Sequence, residues 1–322
     1  GTDVSGNDND DIVVNNGDLL NWLIHPSNTP ASTGGTISVT GYIAPTDTRQ
    51  QYNNITSAIE LEFAGKIGTS TSSVATTAMG SRNIFKTSDT GKLIVLVNVD
   101  GVIKYKTSLD RGLTWDVSWS TIGGPGVLYF SAYMDPSTNN IFVQYGSYVR
   151  KLTYSAGSWS VGSAVTASSG YNNGAIAAQA NGDLWVAVIY GTSAVYTNRS
   201  TDGGASWTAM GGMSYSYPYK VILMPHGNDM WLFLSSSQSS SISLYIYTTS
   251  WSTPTTIISS GSSANCGGAL KLSDDNIYIT SGTPSGTTIY HYNGTTWDSG
   301  TLLGSASTEW YSDIGELDGK PV

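Results

Sequence analysis

Glu309, Asp313 and Glu316 stand close together near the C-terminal end of the chain. Paired carboxyl groups flanking a sugar linkage are the acid and base of glycoside hydrolysis, so this cluster is the one arrangement that suggests an unfamiliar hydrolase. The same acids equally suit turn amides or solvent, and we expect that role, leaving no catalytic residue. His25, His226 and His291 are scattered without metal-ligand spacing. The acidic run Ser5-Gly-Asn-Asp-Asn-Asp-Asp11 resembles a calcium loop only superficially, because Ile12 and Val13 follow where a turn glycine is needed. No metal and no cofactor is expected. Cys266 lies in the apolar stretch Asn265-Cys-Gly-Gly-Ala-Leu270 and reads as a small core residue rather than a nucleophile.

Charge narrows the partners. The 322 residues carry 14 Lys and Arg against 23 Asp and Glu, a net charge of −9. Nucleic acid is excluded as a partner, since phosphate binding needs clustered basic residues. No apolar run approaches the roughly 20 residues of a membrane span. Few charges, abundant Ser, Thr, Gly and Tyr and a single Cys suggest an extracellular or virion-surface protein. The chain opens on Gly1 without a signal-peptide pattern, as a processed or trimmed product would.

The elements that position these residues announce themselves by repetition. Ser108-Leu-Asp110-Arg-Gly112-Leu-Thr-Trp115 and Ser200-Thr-Asp202-Gly-Gly204-Ala-Ser-Trp207 share the template Ser-x-Asp-x-Gly-x-x-Trp. Tryptophan returns at 159, 251 and 297, so the series 115, 159, 207, 251, 297 recurs every 44–48 residues. About 40–50 residues is the length of one four-stranded propeller blade.

Within each period the β-rich runs number four, punctuated by Gly, Asn, Asp and Ser. The first unit offers 83–86, 92–98, 102–107 and 116–121, with the hairpin dipeptide Asp100-Gly101 between the second and third. The next units offer 127–132, 141–145, 149–154 and 158–161; 175–178, 184–189, 195–198 and 207–210; 220–224, 230–234, 243–247 and 252–257; and 269–272, 276–280, 288–292 and 296–299. A sixth unit opens at Glu309. The expected fold is all-β: a six-bladed propeller, with seven blades as the alternative, over residues 76–322. Residues 1–75 form an N-terminal extension that attaches the protein to a larger assembly and supplies strands to complete the last blade, hiding its edge.

The two Ser-x-Asp-x-Gly-x-x-Trp segments resemble the Asp-box of sialidases and of the wider Asp-box β-propeller family. That resemblance implies a structural role for Ser108, Asp110, Gly112, Trp115, Ser200, Asp202, Gly204 and Trp207. The box would form the turn between the third and fourth strands of a blade, and its Trp would pack between blades. Family enzymes hold the substrate carboxylate with three arginines, but this chain has only Arg49, Arg82, Arg111, Arg150 and Arg199. Arg111 and Arg199 belong to the box turns and Arg150 to a third strand, which leaves too few for sialidase activity.

The strand order places the connections from each outer strand to the next inner strand on the face opposite the boxes. They carry Tyr171, Tyr215, Tyr217, Tyr219, Trp310 and Tyr311, whose rings offer apolar surfaces to sugar C–H groups. The run Ser235–Ile242 is expected as a long loop on the same face. The function expected is thus non-enzymatic: binding of a glycan or host-surface receptor by a protein of a cell exterior or phage virion, oligomeric within its assembly. A purely structural decoration protein is the alternative, and a hydrolase with an atypical carboxylate pair the third reading.

Overall fold

The computed structural model describes residues 83–303, apart from 111, 128, 170–172, 237–240, 260–264 and 284–285, together with 314, 316–317 and 320–321. All of them belong to the second of the two units, 1–65 and 66–322, into which the chain divides. Tyr171, Trp310, Tyr311, Glu309, Asp313, Arg49, Arg82 and Arg111, the side chains of Glu316 and Cys266, and the N-terminal strands expected to close the ring lie outside the described residues.

The first sheet holds β1 (Ile84–Lys86), β2 (Leu93–Val99), β3 (Val102–Ser108) and β4 (Ser120–Thr121). The second holds β5 (Ser131–Met134), β6 (Ile141–Tyr145), β7 (Tyr148–Ser155) and β8 (Ser158–Thr166). In the third are β9 (Gly174–Ala178), β10 (Leu184–Tyr190), β11 (Ala194–Ser200) and β12 (Thr208–Ser214). The fourth comprises β13 (Pro218–His226), β14 (Asp229–Ser236), β15 (Ser241–Tyr247) and β16 (Thr255–Ser259). The fifth comprises β17 (Asn265–Ser273), β18 (Asn276–Thr283), β19 (Gly286–Tyr292) and β20 (Thr301–Leu302). A hairpin of β21 (Glu316–Leu317) and β22 (Lys320–Pro321) follows. Each four-stranded sheet is ordered as the chain runs, every pairing is antiparallel, and the whole is a β-propeller.

Among the described residues the blades number five, not the six or seven expected from the sequence. The unit that opens at Glu309 is represented among the described residues by β21 and β22, which pair only with each other. Local chemistry elsewhere follows expectation. Asp100 and Gly101 both take positive φ, 55° and 81°, as a tight two-residue hairpin between right-twisted strands requires.

Strands such as β6, β10 and β14 read as nearly continuous apolar runs because they are buried on both faces, whereas the outer strands β8 and β12 are largely exposed. Alternate residues face opposite neighbours. In β14, Met230, Leu232 and Leu234 join a cluster with Trp185, Ala187 and Ile189 of the third blade. Between them, Trp231 and Phe233 turn the other way, against Ile277 and Ile279 of the fifth. The periodic tryptophans fill the same wedges. Trp159, Trp207, Trp251 and Trp297 each join the cluster between their own blade and the preceding one.

The inner strands β5, β9, β13 and β17 lie side by side in that order, and they run in the same direction. Asn173, just before β9, donates to Tyr219 O near the start of β13 (3.3 Å). At the far ends Gln179 donates to Asn228 O (2.8 Å) and Lys271 to Pro225 O (2.6 Å). Each blade therefore presents its first and third turns on one face, the turn face. Its second turn, and the link to the next blade, emerge on the other, the exit face.

Several strand ends depart from expectation. The inner strand of the second blade begins at Ser131 rather than 127, because Gly126 turns at φ 83° and the Val127 amide donates instead to Gly101 O. The outer strand of the fourth blade starts only after Pro254, which has no N–H for a ladder. In the fifth blade it lies at 301–302, because Asp298 Oδ1 takes the amides of His291 and Gly300 at 3.0 Å each. The ends of the expected loop over Ser235–Ile242 are strand, with Ser235 paired to Ile242 and both buried, while 237–240 lie outside the described residues.

Candidate functional site

The two Ser-x-Asp segments form the third turn of their blades, on the turn face, and their hydrogen bonds are nearly superimposable. Ser108 Oγ donates to Asp110 Oδ1 at 2.7 Å while accepting the Gly112 amide at 2.8 Å. Asp110 also accepts the amide and hydroxyl of Thr114, at 2.8 and 2.5 Å. Ser200, Asp202, Gly204 and Ser206 repeat this at 2.7, 2.8, 2.9 and 2.5 Å. The hydroxyl and amide of Thr114, then Ser108, hold the Asp110 carboxyl down at about 2. Ser206 and then Ser200 hold Asp202 lower still. Gly112 and Gly204 supply the positive φ, 94° and 89°. Trp115 Nε1 donates to Gly112 O (3.0 Å), closing the first turn. Every polar atom of these carboxylates is occupied by the turn itself.

On the exit face, the connection from β12 to β13 carries the expected Tyr215 and Tyr217, whereas Tyr219 lies in β13 itself. Tyr215 packs against the cluster between the third and fourth blades and its hydroxyl donates to Leu234 O (3.3 Å). Tyr217 is exposed, with φ 53°, and Tyr219 is half-buried. None of the three lines the clefts described next.

A cleft of about 430 Å³ opens on the exit face between the first two blades. One wall is the link Gly124-Pro-Gly-Val127, and the other is the hairpin Tyr145-Gly-Ser-Tyr148 with Arg150 and Ala164 behind it; Tyr129 also borders it. Both walls are anchored. Ile122 N–H donates to Ile103 O (2.7 Å), and Asn98 Nδ2 donates to Val127 O (2.5 Å). Gln144 Nε2 donates to Gly146 O (2.8 Å), and Ser147 O accepts the amide of Ala167 (2.8 Å).

Alternation in β7 puts Tyr148, Arg150 and Leu152 on one face. Leu152 is sealed in the cluster shared with the first blade, whereas Arg150 and Tyr148 sit nearer the hairpin and reach the cleft. A bulge in β8 opposite 150–152 shifts the register there, a device that re-aims side chains beside sites. Arg150 Nε is buried and has no hydrogen-bond acceptor. Burial raises the Tyr145 hydroxyl above its ordinary value, opposed by the charge of Arg150 and a hydrogen bond to it. A guanidinium only donates, so in that bond the Tyr145 oxygen is the acceptor. The Tyr148 ring, 46% exposed, lies 6.0 Å from that of Tyr145.

Two further cavities differ in that each has a carboxylate paired with a cation; in the first, Lys151 lies over the Phe142 ring at 5.6 Å. One of about 630 Å³ on the turn face is lined by Asp135, Lys151, Lys271 and Asp274. Asp135 is bound by Ser137 and Thr138 at 2.7 and 2.6 Å, and Lys271 pairs with Asp274. The other, about 290 Å³, holds Arg199, which pairs with Asp183. Among the described residues no group of His, Cys, Asp and Glu is arranged to hold a metal.

The sequence placed Arg150 correctly in a third strand and set it aside for that reason. The signal for the cleft was Tyr145-Gly-Ser-Tyr148-Val-Arg150, a tight turn followed by period-two spacing, and the Gly-rich wall far off in sequence gave no sign of meeting it.

No known protein family and no characterised protein matches the sequence. In three dimensions the chain is similar to a protein of unknown function from Dyadobacter fermentans, at 13% identity and TM-score 0.50 over 71% of this chain and 85% of that one. A Hadza microbial sialidase is similar at 14% identity and TM-score 0.51, over 74% of this chain and 61% of that one. Trypanosoma rangeli sialidase, in complex with the inhibitor DANA, is similar at 12% and 0.50, over 76% and 52%. The chain thus spans less than two thirds of either sialidase. At these identities the likeness is one of fold: a β-propeller of the kind sialidases use.

Proposed function

We propose that this protein is a non-catalytic member of the Asp-box propellers that binds a glycan or host surface through its exit face, at the cleft of Tyr129, Tyr145, Tyr148 and Arg150. It acts outside the cell or on a phage virion, held to a larger assembly by residues 1–75. The observation that carries the reading is the cleft itself: two hydrogen-bonded walls, an exposed tyrosine ring and an arginine whose buried Nε has no acceptor, on the face that the box turns leave free. A ring of this kind stacks on sugar C–H surfaces while hydroxyl and guanidinium donors orient the ligand. The non-catalytic part rests on the lining, which includes no Asp, Glu or His to serve as acid or base. The weakly charged, Ser- and Thr-rich composition favours an exterior location.

The test is retention on an array of immobilised glycans, comparing the full chain with Tyr148→Ala and with Ala164→Trp, which fills the cleft. We expect retention of the wild type and loss in both variants. Absence of any retained glycan, with assembly still formed through residues 1–75, is the result a purely structural protein gives.

A further inference from the structure

Within the glycan-binding reading, on which this inference rests, the geometry points to an acidic sugar, bearing a carboxylate or a sulfate, as the occupant of the cleft between the first two blades. Two arginines are described, and they are treated differently by the fold. Arg199 is neutralised by Asp183 and stacks on Trp185 at 5.7 Å. Arg150 has no ion pair among the described residues, and its Nε is buried without an acceptor. Arg150 is half-buried, and a cation partly withdrawn from water favours a ligand that supplies the counter-charge. The cleft lining includes no carboxylate to do so.

The setting of the guanidinium agrees with that sign. The Tyr145 oxygen accepts a hydrogen bond from the guanidinium and holds it at the cleft. A planar guanidinium binds carboxylate or sulfate oxygens in parallel pairs, and such bonds are the strong ones. A neutral sugar could stack on Tyr148 but would leave Arg150 uncompensated. The position also separates this site from the propeller axis: Arg150 is in β7 and Ala164 in β8, and no inner-strand residue lines the cleft. Nor does a general positive field explain attraction of an anion, because the chain carries a net charge of −9. Recognition must come from the short-range bonds at this one residue.

Calorimetric titration of the full chain with paired probes tests this. One pair is oligogalacturonate and its methyl ester, which share a backbone and differ in charge; the other is a sulfated galactan oligosaccharide and its desulfated form. Arg150→Gln removes the charge, and Arg150→Lys keeps it without the fork, so that a fold defect in the first does not obscure the result. Thermal unfolding checks that each variant is folded. The expected result is that one acidic probe binds roughly tenfold or more tightly than its neutral counterpart, that Arg150→Gln abolishes this preference, and that Arg150→Lys retains part of it. Which pair responds identifies carboxylate or sulfate. If acidic and neutral forms bind equally and both weaken in Tyr148→Ala, the acidic assignment is overturned while the glycan reading stands. If neither pair binds and the neutral glycan array is also silent, both fall.

Discussion

Ser200 donates its hydroxyl to Asp202 at 2.7 Å and with the same oxygen accepts the Gly204 amide at 2.8 Å. Ser108 and Asp110 reproduce this, bond lengths included, two blades earlier in the sequence. The serine is thereby a relay: the carboxylate fixes the hydroxyl, and the hydroxyl fixes the glycine turn.

The relay has a pH signature. Asp110 is held at about 2, first by the Thr114 hydroxyl, and Asp202 is depressed further. A carboxyl whose folded value lies below its unfolded one adds stability that is complete above the unfolded value near 4 and is lost as pH falls through the folded one. We expect the melting temperature to fall between about pH 5 and pH 2, and the double variant Asp110→Asn, Asp202→Asn to fall less steeply over that window. Parallel curves for the two proteins would remove the carboxylates from the account.

Gly204 and Gly182 separate backbone strain from packing. Both have positive φ, 89° and 87°, but a Cβ at 182 meets open space whereas one at 204 meets Phe142 at 3.4 Å. Gly182→Ala should lose about 1–2 kcal/mol for the left-handed conformation alone. Gly204→Ala should lose more, read from urea midpoints. An equal loss at both would show that Phe142 yields freely.

Blade-to-blade coupling should be measurable at one bond. Trp251 Nε1 donates to Thr197 Oγ1 (2.8 Å), and that hydroxyl donates onward to Gly211 O (3.0 Å). A double-mutant cycle of Trp251→Phe and Thr197→Val should return a coupling of about 1 kcal/mol between the third and fourth blades. Strict additivity would make the bond energetically idle.

Tyr145 and Tyr148 are three residues apart and should behave oppositely. Tyr145 is 5% exposed within the cluster shared by the first two blades, so Tyr145→Ala should cost about 3–5 kcal/mol. Tyr148 stands in the open, and Tyr148→Ala should leave the melting temperature within a degree or two of wild type, since exposed positions rarely shift stability by more than about 0.5 kcal/mol, while glycan retention disappears. A large loss of stability in Tyr148→Ala would move that ring from the ligand to the scaffold.

Much of this was written locally in the chain. Trp159, Trp207, Trp251 and Trp297 mark their blades because each fills the wedge against the preceding blade. The Ser-x-Asp-x-Gly-x-x-Trp spacing specifies its own turn, since all of its hydrogen bonds join residues at most four apart. What the residues could not announce alone were relationships between blades. The number of blades depends on which strands find partners, and among the described residues after the fifth blade the pairing is one hairpin, β21 with β22. The outer strand of the fifth blade moved past Gly300 because a single carboxylate, Asp298, competes for the ladder amides. Arg150 looked like any mid-strand arginine. Only the approach of a glycine-rich link from another blade, with no acid on it, made its guanidinium the unmatched charge of a cleft.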